Sequence, residues 1–247
     1  MNESSRSRGR LLLATDFDGT IAGIRDDPAE VVIEAEAYDL LSVAADSEAI
    51  DVAIVSGRDL SDLSSRTRNL RALLAGSHGL EIADPAGALI RSAAPSSESP
   101  PPDWIDQART AGLRLELKKY GMAVHWRGVD GIDRDHTLIE RFAEWARHRG
   151  LELIDGRLVL EARLAGANKE GALRFLAERT GCERLVYAGD DLTDLLPLRW
   201  AAGIGRAIFV SSAERPEALP GGVETVRGLD DLLAVFREEI ETAQDGR

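Results

Sequence analysis

This chain's fold is decided at residues 11–20, LLLATDFDGT, where an apolar run ends in two aspartates. The run predicts a short buried strand over Leu11–Phe17. Residues two apart on a strand point the same way, so Asp16 and Asp18 can both reach the mouth of a parallel sheet, where open α/β folds place ligands. Two adjacent carboxylates repel each other unless a cation separates them or one keeps its proton. The stretch therefore indicates a hard-metal site beside an acid/base group, although Asp-Gly also forms plain turns.

The composition of the 247-residue chain narrows the function classes. Hydrophobic residues make up 44% and charged residues 30%, as in ordinary globular proteins. The net charge of −13 argues against a nucleic-acid partner, and it means that a phosphate ligand needs local help from a metal, Lys or Arg. No apolar run is long enough for a membrane span or a signal peptide, and the single Cys182 excludes an internal disulfide. We therefore expect a cytoplasmic monomer or weak oligomer with no membrane partner.

Strand-like and helix-like runs alternate at both ends of the chain. After the first strand, helices are predicted at 35–45 and 60–67 and strands at 52–55 and 73–75. Beyond Lys169, helices are predicted at 170–180 and 230–240 and strands at 185–188 and 207–210. This rhythm predicts an α/β fold with a Rossmann-like parallel sheet.

A different pattern interrupts this rhythm in the middle of the chain. Gly, Pro and Ser enrich residues 82–102, which we predict as a loop. Short strands at 113–117 and 123–126 then precede an amphipathic helix near 138–146 and a hairpin with its turn at Asp155-Gly156. We therefore predict a discontinuous core, residues 1–81 and 165–247, carrying an inserted α+β domain, residues 82–164.

A second acidic cluster follows a predicted strand of the core. Asp190, Asp191 and Asp194 come directly after the strand at 185–188. Bringing three carboxylates near the first two is costly without a cation, whereas Mg²⁺ would turn the same geometry into a set of oxygen ligands. The alternative interpretation is a helix start, where acidic residues are favourable.

Two further signals suit a phosphate ligand. Ser56, Gly57 and Arg58 follow a strand and offer a hydroxyl, a backbone amide and a guanidinium to phosphate oxygens, although a turn with a solvated arginine is also common. Lys169 opens a predicted helix, whereas lysine prefers the other end of a helix. A broken local rule of this kind is a hint of function, and an exposed lysine is the alternative.

The order of these motifs resembles the haloacid-dehalogenase-like phosphatase superfamily. In that order come Asp-x-Asp-Gly-Thr, Ser-Gly-Arg, Lys and Gly-Asp-Asp-x-Thr-Asp. Longer segments look like the trehalose-6-phosphate phosphatases, and they are residues 53–58, 75–81, 120–127 and 189–194. The resemblance extends from Leu11 to about Val210, with the insert lying between Ser-Gly-Arg and Lys.

The resemblance implies a mechanism. Asp16 would be the nucleophile that forms an aspartyl-phosphate, and Asp18 would protonate the leaving sugar oxygen and then activate water. Mg²⁺ would be held by the Asp16 carboxylate, the Asp18 backbone carbonyl and Asp190. The phosphate ligands would be Ser56, Gly57 and Lys169, and the residues that orient metal-bound water or the lysine would be Asp191 and Asp194.

The resemblance also makes the insert a cap that closes over the site and recognises a small phosphorylated sugar. The candidate sugar ligands are Arg58, His78 and Glu81 at the core edge, and Glu116, Lys118, His125, Arg127, Glu161 and Arg163 in the cap. Each cap residue could instead be an exposed strand position or part of a weak surface ion pair. Trehalose 6-phosphate is the expected substrate.

Three departures from the family pattern bear on the substrate. Leu195-Leu196-Pro197-Leu198 replace acidic and aromatic residues, Leu164 replaces a proline, and Lys169-Glu170-Gly171 is one residue longer than the usual Lys-Gly. Another disaccharide or pseudo-disaccharide phosphate, or mannosyl-3-phosphoglycerate, therefore stays open as substrate. The same motifs are also compatible with a phosphosugar mutase and with a non-catalytic sugar-phosphate sensor.

Overall fold

The computed structural model describes residues 9–23, 25, 30–94, 99–156, 158–211 and 219–245. Its contacts divide the chain into two compact units, of which the first comprises residues 1–92 and 168–247 and the second comprises residues 93–167. The second unit thus starts at residue 93, whereas the sequence places the start of the insert at residue 82.

The described part of the chain contains the following elements in chain order. The strands are β1 Leu11–Thr15, β2 Ile50–Val55, β3 Leu73–Gly76, β4 Glu81–Ala83, β5 Leu89–Ser92, β6 Arg114–Lys118, β7 Gly121–His125, β8 Leu151–Gly156, β9 Val159–Leu164, β10 Arg184–Gly189, β11 Arg206–Val210 and β12 Val223–Val226. The helices are α1 Ala35–Ala45, α2 Leu60–Arg66, α3 Pro102–Thr110, α4 Thr137–His148, α5 Lys169–Thr180, α6 Leu195–Ile204 and α7 Leu229–Gln244.

The first unit is built on an eight-stranded sheet in the order β12-β11-β10-β1-β2-β3-β4-β5. Neighbouring strands from β12 to β3 are parallel, and β4 and β5 add two antiparallel strands at one edge. Because β1 lies between β10 and β2, the residues that follow these three strands meet at one edge of the sheet.

Helices cover both faces of this sheet. Leu11 and Leu13 belong to an apolar cluster with α1 and α7, whereas Leu12 and Ala14 belong to a second cluster with α5 and α6. The continuous apolar run of β1 is therefore explained by burial on both faces, as expected for a central parallel strand.

The second unit is a four-stranded antiparallel sheet in the order β6-β7-β9-β8. On one face, Met122 and Leu160 join an apolar cluster with α3 and α4, in which the rings of Trp104 and Phe142 stack 5.4 Å apart. Since side chains alternate along a strand, the residues between these apolar positions lie on the opposite face. That second face carries Glu116, Lys118, Glu161 and Arg163.

The region predicted as a loop, residues 82–102, differs from the expectation. Its first part forms β4 and β5, which extend the sheet of the first unit. Its last proline, Pro102, starts α3. Proline suits the first position of a helix, because the missing N–H has no partner there in any case.

The hairpin of the second unit also turns later than predicted. Gly156 pairs with Val159, so Asp155 and Gly156 belong to β8 instead of the turn. This register places Leu160 and Ala162 in the apolar cluster, and burial of these side chains fixes the pairing. Within the described residues, no helix is both long and apolar enough to cross a membrane.

Candidate active site

The centre of the site is a buried lysine between two aspartates. Asp16 directly follows β1, and its N–H donates to the carbonyl of Ala188 in β10 at 2.8 Å. Lys169 is the first residue of α5, and its Nζ lies 2.9 Å from Oδ1 of Asp16 and 2.9 Å from Oδ1 of Asp194. The three side chains are at most 6% exposed. The lysine at the positive end of a helix thus neutralises carboxylates from two other segments.

Asp190 lies beside this cluster and receives one hydrogen bond from a neighbouring side chain. It follows β10, and its Oδ1 accepts from Oγ1 of Thr20 at 3.2 Å. Gly19 makes this approach possible, because a Cβ on it would lie 2.1 Å from Oδ2 of Asp190. Its φ of +76° is also a conformation that favours glycine. The Gly-Thr pair of the first motif therefore shapes the loop around the second acidic motif.

Carboxylate oxygens of Asp16, Asp190 and Asp194 all lie within 4.8 Å of one another. Burial, with the charge of Asp194, raises the pKa of Asp16 well above its usual range. Burial and Asp194 also raise the pKa of Asp190 to about 7. Although burial lowers the pKa of Lys169, the carboxylates of Asp16 and Asp194 raise it overall. The cluster thus contains three carboxylates but one ammonium, which contacts Asp16 and Asp194. A set of carboxylate oxygens fits a hard cation such as Mg²⁺.

Asp18 points to a different partner, the guanidinium of Arg58. Arg58 Nε lies 2.8 Å from Oδ2 of Asp18 and its Nη2 lies 2.6 Å from Oδ1, so the contact is bidentate. Arg58 also contacts Asp62 at 2.9 Å and lies over the ring of Phe17. The side chain of Asp18 is 42% exposed. In this structure the guanidinium of Arg58 therefore binds the carboxylate of Asp18.

The loop after β2 places a hydroxyl and a glycine at the same edge of the sheet. Ser56 is buried, and its Oγ accepts from the N–H of Arg58 at 3.1 Å. A Cβ on Gly57 would lie 2.6 Å from Nε2 of His78, so the imidazole packs on the glycine. His78 has a left-handed backbone, φ +53°, held by its N–H bond to the carbonyl of Ser56. Glu81 is buried at the start of β4 and lies 3.5 Å from the N–H of Leu60.

The polar face of the second unit carries one ion pair and one hydrogen bond between a histidine and a carboxylate. Nζ of Lys118 lies 2.6 Å from Oε2 of Glu161, and Nε2 of His125 lies 2.9 Å from Oε2 of Glu116. The hydrogen bond from His125 lowers the pKa of Glu116 more than burial raises it.

Arg163, on the same face, is buried, and burial lowers the pKa of its guanidinium. Its Nε and Nη1 have no hydrogen-bond partner in the described part of the chain. Arg127 lies past the end of β7 and is exposed.

Comparison with known proteins decides the family. A sequence profile described as trehalose-phosphatase matches residues 14–195. The chain belongs to the trehalose-phosphatase family. The resemblance inferred from the motifs is thus confirmed. A trehalose-phosphate phosphatase of Mycobacterium marinum is 32% identical over 194 residues, which are 72% of this chain and 48% of that protein.

Some relatives of this member of the trehalose-phosphatase family are much longer than the chain itself. An uncharacterised glycosyl hydrolase of Mycobacterium tuberculosis is 35% identical over 199 residues, 72% of this chain but only 14% of that protein. The chain thus spans half or less of these curated relatives. A crystal structure described as a trehalose-6-phosphate phosphatase related protein has a TM-score of 0.70 at 23% identity, covering 96% of this chain and all of that one. This likeness confirms the predicted α/β fold.

Within this trehalose-phosphatase fold, the predicted site residues fall into separate groups. Asp16, Lys169, Asp190 and Asp194 come together, whereas the carboxylate of Asp18 lies with Arg58. The exposed Asp191 accepts from the N–H of Leu192 and caps a short 3₁₀ helix, as expected for an acidic residue at a helix start.

Sequence reasoning missed two contacts of the cluster. Thr20 lies in the first motif and bonds Asp190, so its position in that motif was an available signal. Tyr187 donates to Asp194 from inside β10, where a buried aromatic residue gives no sign of a polar role. Residues 195–198, which differ from the family pattern, form the first turn of α6, and Pro197 and Leu198 are buried there. The replaced positions therefore contribute apolar side chains to the core of the first unit.

Proposed function

We propose that this chain is a Mg²⁺-dependent phosphatase that hydrolyses trehalose 6-phosphate to trehalose and phosphate. The observation that carries the proposal is the buried contact of Lys169 with both Asp16 and Asp194, in a chain that matches the trehalose-phosphatase family. A phosphoryl group adds negative charge, so a site for it needs a fixed cation close to the attacking group.

Asp16 is the proposed nucleophile. One of its carboxylate oxygens forms a bond to phosphorus while the bond from phosphorus to the sugar oxygen breaks. The proton for the departing oxygen comes from Asp18, the second aspartate of the motif. Water then attacks phosphorus, the bond from phosphorus to the Asp16 oxygen breaks, and inorganic phosphate leaves. The proton of this water passes to Asp18, so both side chains are restored. The contact between Arg58 and Asp18 orients the acid/base carboxylate before substrate arrives.

Asp16, the backbone carbonyl of Asp18 and Asp190 would hold Mg²⁺. Both oxygens of Asp194 are already occupied, by Lys169 and Tyr187 on Oδ1 and by the N–H of Asp191 on Oδ2. Among the described residues, the side chain of Asp190 accepts only the long bond from Thr20, and it is therefore the carboxylate with free coordination capacity. The ion would supply positive charge that offsets the repulsion between carboxylates and phosphate.

The phosphate ligands in this proposal are Ser56, the backbone of Gly57 and Lys169. The hydroxyl of Ser56 can donate to a phosphate oxygen while its oxygen still accepts from the N–H of Arg58. The ammonium of Lys169 has three donors, of which two are used by Asp16 and Asp194. Its third proton is available to a phosphoryl oxygen.

We further propose that the second unit acts as the cap that recognises the sugar. Its polar face offers paired donors and acceptors, which is what sugar hydroxyls require. Lys118 with Glu161 and Glu116 with His125 are the pairs already oriented there. The unpartnered N–H groups of Arg163 suit the oxygens of a bound sugar. The enzyme would work in the cytoplasm as a monomer or weak oligomer.

A phosphate-release panel tests the function. Purified protein with Mg²⁺ is given trehalose 6-phosphate, glucose 6-phosphate, mannosyl-3-phosphoglycerate and an aryl phosphate. We expect the highest kcat/KM for trehalose 6-phosphate and no release by Asp16→Asn. Preference for another member of the panel would reassign the substrate. Isomerised sugar phosphate without free phosphate would indicate a mutase, and binding without turnover a sensor.

A further inference from the structure

A tyrosine hydroxyl lies at the inner end of the buried cluster. Tyr187 belongs to β10 and is 0% exposed, packed among apolar side chains such as Leu12 and Phe209. Its hydroxyl donates to Oδ1 of Asp194 at 2.6 Å. A buried hydroxyl is costly unless it is hydrogen-bonded, and Phe209 fills space in the same cluster without one. The hydroxyl is therefore explained by its partner and not by packing.

The partner carboxylate is held at both oxygens. Oδ1 of Asp194 accepts from Tyr187 and from Nζ of Lys169 at 2.9 Å, and Oδ2 accepts from the N–H of Asp191 at 3.2 Å. Asp194 also lies close against the backbone of Gly189, because a Cβ on that glycine would lie 2.4 Å from Cγ of Asp194. The carboxylate plane is thus fixed by three donors from three positions.

The contacts continue without a break to the nucleophile. Lys169 bridges Asp194 and Asp16 with equal distances of 2.9 Å. If the Tyr187 hydroxyl is removed, Oδ1 of Asp194 loses its shorter bond, and the carboxylate can rotate towards Lys169. The ammonium then has a stronger hold on Asp194 and a weaker one on Asp16.

We propose that Tyr187 is a positioning residue for phosphoryl transfer, which rests on the proposed function. Its hydroxyl fixes Asp194 so that Lys169 stays in line with Asp16 and presents its remaining proton to the phosphoryl group. Tyr187 does not touch the substrate and acts only through Asp194 and Lys169. A misplaced ammonium harms the transition state more than the bound substrate, because charge on the phosphoryl oxygens must be met in one geometry.

The first test is Tyr187→Phe, with Tyr38→Phe as the matched control. Tyr38 packs against the opposite apolar cluster, and its substitution removes the same atom away from the site. We expect kcat on trehalose 6-phosphate to fall about tenfold for Tyr187→Phe, KM to change less than about twofold, and Tyr38→Phe to match wild type. A folded Tyr187→Phe protein with wild-type kcat would overturn the inference. A purely structural tyrosine would lower the melting temperature and leave kcat unchanged.

A double-mutant cycle tests the route of the effect. Asp194→Asn alone must lower kcat, and adding Tyr187→Phe to it must cost much less than about tenfold, because both changes break the same chain of contacts. Fully multiplicative losses would show that Tyr187 acts independently of Asp194, and the inference would fail.

Two readouts do not depend on turnover. A crystal structure of Tyr187→Phe should show Lys169 Nζ displaced from Asp16, and an unchanged bridge would contradict the inference. If that variant does not fold, wild-type protein labelled with 3-fluorotyrosine replaces it, since the chain has only three tyrosines. The Tyr187 fluorine resonance should shift on addition of Mg²⁺ while that of Tyr38 stays. An unmoved Tyr187 resonance in Mg²⁺-bound protein would overturn the inference even if the phosphatase proposal itself failed.

Discussion

Replacing Asp190 with asparagine tests whether the buried cluster lacks one cation. The pKa of Asp190 is about 7, raised from 3.8 by burial and by Asp194. The metal-free folded protein therefore holds this proton more tightly than the unfolded chain does. The stability gained from this proton is complete below pH 3.8 and is lost as the pH rises towards 7. At about 1.4 kcal/mol per pKa unit, the loss is about 4 kcal/mol.

The assay is urea unfolding of wild type and Asp190→Asn in EDTA, from about pH 4 to about pH 8. Asparagine keeps an acceptor for Thr20 but carries no charge. The variant should therefore equal wild type in free energy of unfolding at the acidic end and exceed it by about 4 kcal/mol at the basic end. Mg²⁺ at a hundredfold excess over its Kd should add about 2.7 kcal/mol to wild type and little to the variant.

The matched control is Asp191→Asn, which alters an exposed neighbour that caps the 3₁₀ helix. At the basic end, it should change the free energy of unfolding much less than Asp190→Asn does, because its side chain is exposed. If the curves of wild type and Asp190→Asn run parallel across this range in EDTA, the charge argument for the cation site is refuted.

Three further predictions concern activity. Asp16→Asn should abolish phosphate release while circular dichroism shows an intact fold, and residual turnover above about one thousandth of wild type would argue for another nucleophile. Arg58→Gln should lower kcat by about tenfold or more, because Asp18 loses its bidentate partner. Asp62→Asn leaves that contact in place and should lower kcat by less than about threefold. Equal losses in the two variants would contradict the positioning role of Arg58. Arg163→Met should lower kcat/KM for trehalose 6-phosphate by about tenfold and leave hydrolysis of an aryl phosphate nearly unchanged, and equal losses on both substrates would exclude a role in sugar binding.

The local periodicity of the chain predicts the elements that are buried on defined faces. The apolar run before Asp16 gives β1, and the amphipathic repeat gives α1 with the bounds Ala35–Ala45. The glycine after the helix predicted at 170–180 ends α5 in a left-handed conformation, φ +63°. These elements were accessible because burial on one or two faces leaves its period in the sequence.

The missed elements depend on distant partners. β5 is largely exposed and becomes a strand only because β4 pairs with it. α3 begins at the last of three consecutive prolines, Pro102, and a proline run predicts a loop unless its last member is known to occupy the first position of a helix. In both cases, tertiary context overrides a correct local preference.

The sequence indicated which residues form the site, but it indicated less well which of them contact one another. Their places after two predicted strands indicated Asp16 and Asp190, because the carboxyl ends of parallel strands share one edge. Lys169 was indicated by its unusual place at a helix start. The pairing of Arg58 with Asp18 joins residues 40 positions apart, and a sequence does not tell whether a guanidinium meets a phosphate or a carboxylate.

Charged residues in unfavourable positions, such as a helix start or the buried interior, lie together in this protein. The contacts that stabilise their charges are distributed unevenly. A lysine at a helix start is compensated by two carboxylates, and the fully buried Asp194 by a lysine, a tyrosine and a backbone N–H. Asp190 is 8% exposed, and from the described part of the chain its side chain accepts one bond, of 3.2 Å, from a neutral hydroxyl. A buried charge with so little support is expected to neutralise or to bind a cation. Because Lys169 contacts Asp16 and Asp194 but not Asp190, the shortfall at Asp190 marks where binding energy of a cation would be used.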